Sequence, residues 1–199
     1  DLRRSRGLGD VYKRQGDVNA PIIYEVDRSL DGGSFSSRRV VAIQHGRQIF
    51  HLSASFQKQE EGLDFSETWV PPFDVVEDAL ANGLPVDTNF QAGYLDVVYV
   101  PTERVERNDT TQYWFKTKES LPDDLALHHS VLAYISDMGP LQATIQPHDL
   151  NAPKLEDRKR KVLMATIDHA VWFHRPFRAD DWLFYDCLLY TSDAADELR

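Results

Sequence analysis

Residues 22–57 read IIYEVDRSL-DGG-SFSSRRVVAIQ-HGR-QIFHLSASFQ, and the reading of this stretch decides the fold. Residues 22–30, 34–44 and 48–57 are rich in β-branched and aromatic side chains, which suit a pleated, half-buried surface. Asp31-Gly32-Gly33 and His45-Gly46-Arg47 separate them, and both are tight-turn signals. Strands joined this closely pair antiparallel, so the stretch predicts a three-stranded antiparallel meander. In the third strand Phe50, Leu52, Ala54 and Phe56 alternate with His51, Ser53 and Ser55, which predicts one half-buried face.

Residues 58–93 are acidic, carry Pro71-Pro72 and lack a clear period. They predict a linker with one short helix near 75–82. Strands resume over 94–100 and 110–118. Residues 122–138 (PDDLALHHSVLAYISDM) predict a helix. Pro122 and the acidic pair Asp123-Asp124 suit its start, and Gly139-Pro140 its end. Leu125, His128 or His129, Leu132 and Ile135 recur on one face at helical spacing. A polar, basic loop follows over 151–161. Residues 162–173 then predict a long strand, and 182–186 begin another. The chain is thus read as α+β, an antiparallel sheet with one apolar helix. A faint repeat links 21–25 to 182–186, each a polar turn feeding an apolar strand with a tyrosine.

The bulk properties narrow the function. A chain of 199 residues makes one large domain or two small ones. No apolar run approaches the ~20 residues of a spanning helix, and no signal-peptide pattern is visible at the start. A net charge of −10 disfavours nucleic acid and anionic membranes as partners. One cysteine excludes an internal disulfide and implies a reducing, cytoplasmic compartment. Residues 1–15 (DLRRSRGLGDVYKRQ) and 187–199 (CLLYTSDAADELR) resemble translated sequencing-adapter read-through. They are read as non-native flanks, the other reading being a basic arm and a frayed tail. With the flanks set aside no cysteine remains, which excludes thiol catalysis.

Chemistry concentrates in two places. Asp137 sits at the last turn of the apolar helix, where a carboxylate meets the negative end of the helix dipole. It is a candidate general base; an ordinary exposed aspartate near a C-cap fits the residues better. The second place is 165–177, ATIDHAVWFHRPF. It alternates like a strand yet carries polar groups that usually line a site. Thr166, Asp168, Trp172 and His174 share one face, and Ile167, His169, Val171 and Phe173 the other. That alternation separates His169 from His174, and His128-His129 point apart on their helix. Neither makes a metal-ligand pair, and no metal is expected. Phosphate-loop and GxSxG patterns are lacking. On residues alone, a hydrolase and a ligand-binding module both remain open.

Three blocks, 22–57, LPDDLALHHSVLAYISDMGPLQATIQPH and MATIDHAVWFHRPFRADDW, resemble the acyl-CoA thioesterase II family. GGSFSSRRV, LAYISD and ATIDHAVWFHRPF are specific to that family. The resemblance implies a double hot-dog fold, an antiparallel sheet wrapped on a central helix, incomplete in this chain. Residues 16–58 would be the back half of one repeat, 59–93 a linker and 94–186 the front half of a second. It implies hydrolysis of fatty acyl-CoA thioesters without a covalent intermediate or a cofactor. Asp137, Thr166 and a glutamine would hold the attacking water, and no glutamine of this chain matches the third. This chain alone is therefore expected to be inactive, and its parent a homo-oligomer. A non-catalytic acyl-CoA-binding module is the alternative. A hot-dog hydratase would need an Asp/His pair, and Asp168-His169 lie on opposite faces. Arg38, Arg39, Arg175 and the basic run 158–161 are candidates for the phosphates of coenzyme A, the other reading being a solvated charged loop.

Overall fold

The computed structural model describes residues 16–58, 60–63, 65, 69–83, 93–105, 110–137, 143–144, 166 and 168–189. The chain divides into two compact units, Asp1–Glu67 and Thr68–Arg199.

The first unit is the meander. Strands β1 (Ile23–Asp31), β2 (Phe35–Gln44) and β3 (Arg47–Gln57) pair antiparallel in that order. His45 and Gly46 form the two-residue β2–β3 turn with φ of 51° and 70°, the left-handed pair whose twist matches its strands. At the other turn Gly32 donates its N–H to the Phe35 carbonyl at 2.9 Å. A Cβ there would meet that same oxygen at 2.8 Å, so the approach needs glycine. Gln44 is buried. It accepts the Asp17 N–H at 2.6 Å and donates to the Asp17 and Ala20 carbonyls, both at 2.7 Å, pinning residues 16–20 to β2.

The half-buried face expected of β3 is a correction. Phe50 and Phe56 are 52% and 56% exposed, and Tyr24 and Val26 of β1 are exposed with them. A strand face is buried only by a second layer, and this unit is a single sheet of three strands among its described residues. Arg38 is likewise occupied. Its guanidinium donates to the Leu30 and Ser37 carbonyls, each at 2.8 Å, and to the Asp31 carboxylate. It braces the register shift between Asp27 and Leu30 rather than standing free for a phosphate.

The second unit is built around β5. Strands β4 (Leu95–Tyr99), β5 (Thr110–Thr117) and β6 (Leu183–Leu188) form an antiparallel sheet with β5 in the centre. Successive β5 side chains point to opposite faces, and each face meets a helix. Trp114 packs with Val98, Val100 and with Val75 and Val76 of helix α1 (Asp74–Asn82). Tyr113 and Phe115 pack with Val97 and with Ile135 of helix α2 (Leu125–Ser136). Burying each such apolar side chain contributes about 1.5–3 kcal/mol, and the run Tyr113-Trp114-Phe115 is buried across both faces. Asp124 caps α2, its carboxylate accepting the Ala126 N–H at 2.9 Å.

The short helix expected near 75–82 is present as α1, and its valines belong to the second unit's core. Trp114 Nε1 also donates to the Pro72 carbonyl at 2.9 Å, and Phe73 meets the Trp114 ring edge-on at 5.0 Å. Apolar residues too few to show a period were enough to seat a nine-residue helix. Of the strand predicted over 162–173, residues 166 and 168–173 pair with no strand among the described residues, and 162–165 and 167 lie outside the described residues. Alternation marks side-chain direction, whereas a strand also needs a neighbour to complete its backbone ladder. β6 runs through Cys187 and Leu188, paired with Thr111 and Thr110, across position 187 where the C-terminal flank was read to begin. No helix among the described residues is long and apolar enough to cross a membrane.

Candidate active site

The last turn of α2 and the chain over 168–179 meet on the helix side of the second unit. His128 and His129 diverge, as neighbours on a helix must. His128 is buried, and its Nδ1 accepts the Ala179 N–H at 3.1 Å. His129 stacks on Phe173 with ring centroids 4.2 Å apart and planes within 9°. Burial first, then the adjacent His128, pushes the His129 imidazole below its ordinary pKa. A neutral ring suits that stack. Phe177 completes the aromatic cluster at 5.4 Å from His129.

Beyond Phe177 the chain is clamped. Arg178 grips Asp180 with Nε and Nη2, both at 3.0 Å, and donates to the Leu121 carbonyl at 2.9 Å and to Asp123 at 3.1 Å. Arg178, and next the Leu121 N–H, hold the Asp180 carboxyl down at about 2. Ala179 sits inside this clamp, its carbonyl accepting the Thr117 N–H at 2.9 Å.

Asp137 is the C-cap of α2 and is exposed. Thr166 is exposed as well. No hydrogen bond joins the two among the described residues. Their segments are joined one residue before Asp137. Ser136 Oγ lies 3.1 Å from His169 Nε2, three positions along from Thr166. The Ser136 carbonyl accepts the Tyr185 hydroxyl at 3.0 Å. Burial raises the Tyr185 pKa, and the charges of Cys187 and Asp137 raise it further, which puts the Asp137 carboxylate in electrostatic reach of that ring. His169, placed by sequence only on the face opposite Thr166, and Tyr185, read only as part of a repeat, are thus members of the candidate site that sequence reasoning missed. The signal was indirect: a helix leaves its last carbonyls unsatisfied, and some donor must meet them.

A cavity of about 310 Å³ opens between α2 and the sheet, lined by Tyr94, Leu95, Thr117, Ser130, Val131, Tyr134 and Ile135. Its wall is overwhelmingly apolar, and its α2 residues run toward the turn that carries Asp137. Cys187 is half-buried, and burial and then Asp186 push its thiol up. That disfavours the thiolate, so the cysteine is a poor nucleophile. Among the described residues no three His, Cys, Asp or Glu cluster as metal ligands. Of the basic candidates, Arg39 is exposed on β2 and 158–161 lie outside the described residues; Arg175 is exposed and already engaged.

Known proteins are similar to this chain in sequence and fold. The profile of the family described as acyl-CoA thioesterase matches residues 89–199, which includes the stretch read as a C-terminal flank. Acyl-coenzyme A thioesterase 8 from Homo sapiens is 33% identical over 200 residues, covering 88% of this chain and 60% of that protein. Acyl-CoA thioesterase 2 from Haemophilus influenzae is 34% identical over 183 residues, covering 84% of this chain and 62% of that protein. The crystal structure of the acyl-CoA thioesterase II TesB2 from Mycobacterium marinum superposes with a TM-score of 0.71 at 36% identity. It covers 90% of this chain and 65% of that one. The chain therefore spans about 60% of the length of the curated relatives it matches.

Proposed function

The chain belongs to the acyl-CoA thioesterase family, and from that premise we propose that it serves the hydrolysis of fatty acyl-CoA thioesters to free fatty acid and coenzyme A. In this reading Asp137 and Thr166 hold the attacking water. The observation that carries it is the 3.1 Å contact between Ser136 and His169, which ties the end of α2 to the segment bearing Thr166. The chemistry asks little more of the protein. A thiolate leaves with a pKa of about 8.5, so strong acid assistance is unnecessary. What must be supplied is a positioned water and donors for the developing oxyanion. The apolar cavity beside α2 suits the acyl chain.

The family resemblance adds a glutamine that no residue of this chain matches, so the 199 residues alone are expected to turn over negligibly. A hot-dog layout, a homo-oligomeric parent and a cytoplasmic setting belong to the same reading. The second reading, a non-catalytic acyl-CoA-binding module, is favoured by one fact: Asp137 and Thr166 are both exposed and unjoined.

The test follows coenzyme A release from palmitoyl-CoA with a thiol reagent. Two proteins are compared: the 199 residues alone, and the same residues joined to the portions of M. marinum TesB2 that they do not cover. Turnover is expected in the joined protein, and Asp137→Asn or Thr166→Ala should each lower kcat by roughly 100-fold or more. Turnover indifferent to both substitutions would sink the assignment. Turnover by the 199 residues alone that vanishes in Asp137→Ala would sink the need for a further glutamine. A non-hydrolysable acyl-CoA bound in calorimetry, with turnover by neither protein, would favour the binding module.

A further inference from the structure

Ser136, the residue before Asp137, is held from two directions by groups outside its own helix. From the sheet comes Tyr185, whose hydroxyl donates to the Ser136 carbonyl at 3.0 Å. From the 168–179 chain comes His169, whose Nε2 lies 3.1 Å from Ser136 Oγ. The hydroxyl also lies 3.0 Å from the Ala133 carbonyl. A carbonyl only accepts, so the single Ser136 hydroxyl proton goes to Ala133. Ser136 Oγ is then the acceptor toward His169, and Nε2 carries the proton. That N–H is present in the neutral ring of this tautomer and in the imidazolium alike, so the contact survives either charge state.

Tyr185 is a rigid donor. Its ring stacks on Tyr113 at 4.8 Å with planes 10° apart, and it stands edge-on to Phe115 at 6.5 Å. Its raised pKa keeps the hydroxyl protonated across any working pH. The carbonyl it meets is one of those the helix end leaves unsatisfied. One peptide is thereby tied to β6 on one side and to the Thr166 segment on the other, and the next residue is Asp137.

We propose that Tyr185 and His169 are positioning residues for Asp137, fixing the peptide that carries it against the sheet and against the segment of Thr166. This rests on Asp137 being the water-holding carboxylate. An error of about 1 Å in a reacting group costs on the order of 100-fold in rate, so two hydrogen bonds this close to it have leverage on kcat. Substrate binding in the cavity uses other residues, so KM should not move.

The test is run in whichever protein turns over palmitoyl-CoA, the chain alone or the joined form. Tyr185→Phe keeps the ring stack and removes only the hydroxyl; kcat should fall roughly tenfold or more with KM unchanged. His169→Leu should do the same, and His169→Gln, which keeps an amide N–H near the Nε2 position, should recover most of the loss. In an Asp137→Asn background neither change should cost anything further, because both act through that carboxylate. Hydrogen exchange on the 199-residue chain gives a readout independent of activity: Tyr185→Phe should speed exchange at Tyr134, Ile135 and Ser136 severalfold. Parental kcat in Tyr185→Phe and His169→Leu, with Asp137→Asn inactive, overturns the proposal and leaves the assignment of Asp137 standing. An active Asp137→Asn protein overturns that assignment itself. Unchanged exchange at the last turn overturns the proposal whether or not turnover is measurable.

Discussion

Ile135→Ala should separate the two jobs of α2, holding the sheet and presenting Asp137. Ile135 is 1% exposed and packs with Val97, Tyr113 and Phe115. The substitution removes three carbons, and at about 0.8 kcal/mol per buried methylene the lost transfer energy is about 2.4 kcal/mol. The cavity term adds to this in a closed core, bringing such changes to roughly 2–5 kcal/mol. Ile135 already lines the open cavity beside α2, so part of the new void is void already. The lower end applies, about 2–3 kcal/mol. In a protein of this size each kcal/mol moves Tm by roughly 2–4 °C, so melting followed by near-ultraviolet circular dichroism should drop by roughly 4–12 °C. Ile135→Val, one carbon smaller, should cost about 0.5–1.5 kcal/mol. Urea titrations of the two variants and parent should give the same order with unchanged slope. A loss below about 1 kcal/mol for Ile135→Ala would refute the idea that this residue anchors α2 to β5. A loss equal to that of Ile135→Val would refute the carbon-by-carbon arithmetic.

Two further outcomes follow from the geometry. Asp180 is held at about 2 by Arg178, below the ordinary 3.8; a depressed carboxyl contributes stability that is complete above the ordinary value and lost as pH falls through the depressed one. Parent and Arg178→Met should therefore differ in Tm above about pH 4 and converge toward pH 2, with the Asp180 carboxyl titrating higher in the variant by NMR; a gap independent of pH would count against the clamp. Gly46→Ala meets no atom within 4 Å but must hold φ at 70°, so urea unfolding should show a loss of about 1 kcal/mol. A neutral Gly46→Ala would mean that the turn adopts another geometry.

The elements were legible where the physics is local. Turn residues, β-branched runs and a capped apolar helix are written in neighbours along the chain, and β1, β2, β3, β5 and α2 lie within three residues of their predicted bounds. What failed was non-local. Within 162–173, the alternation put His169 and Phe173 on one face, and both turn to α2. It could not report whether a neighbouring strand was there to complete the ladder. The apolar face of β3 likewise announced a need for cover without naming what covers it. The short helix expected near 75–82 is α1, but nothing local told that Val75 and Val76 would pack into the core of the second unit.

The sequence by itself determined an α+β chain of antiparallel strands and one apolar helix, an aspartate ending that helix and a threonine in a polar, aromatic segment. It also carried the family, since LAYISD and ATIDHAVWFHRPF are contiguous words. Only the tertiary structure decided that Ser136 is the joint between them. It assigned His128 to the core and His129 to the aromatic stack, committed Arg38 to its own hairpin, and brought Tyr185 of β6 onto the end of α2. The physical reason is that each of these is a hydrogen bond or ring contact between residues 33 to 51 positions apart or on separate strands. Residue type sets which groups can donate, accept or stack; the packing of α2 against β5 and β6 selects the pairs that do.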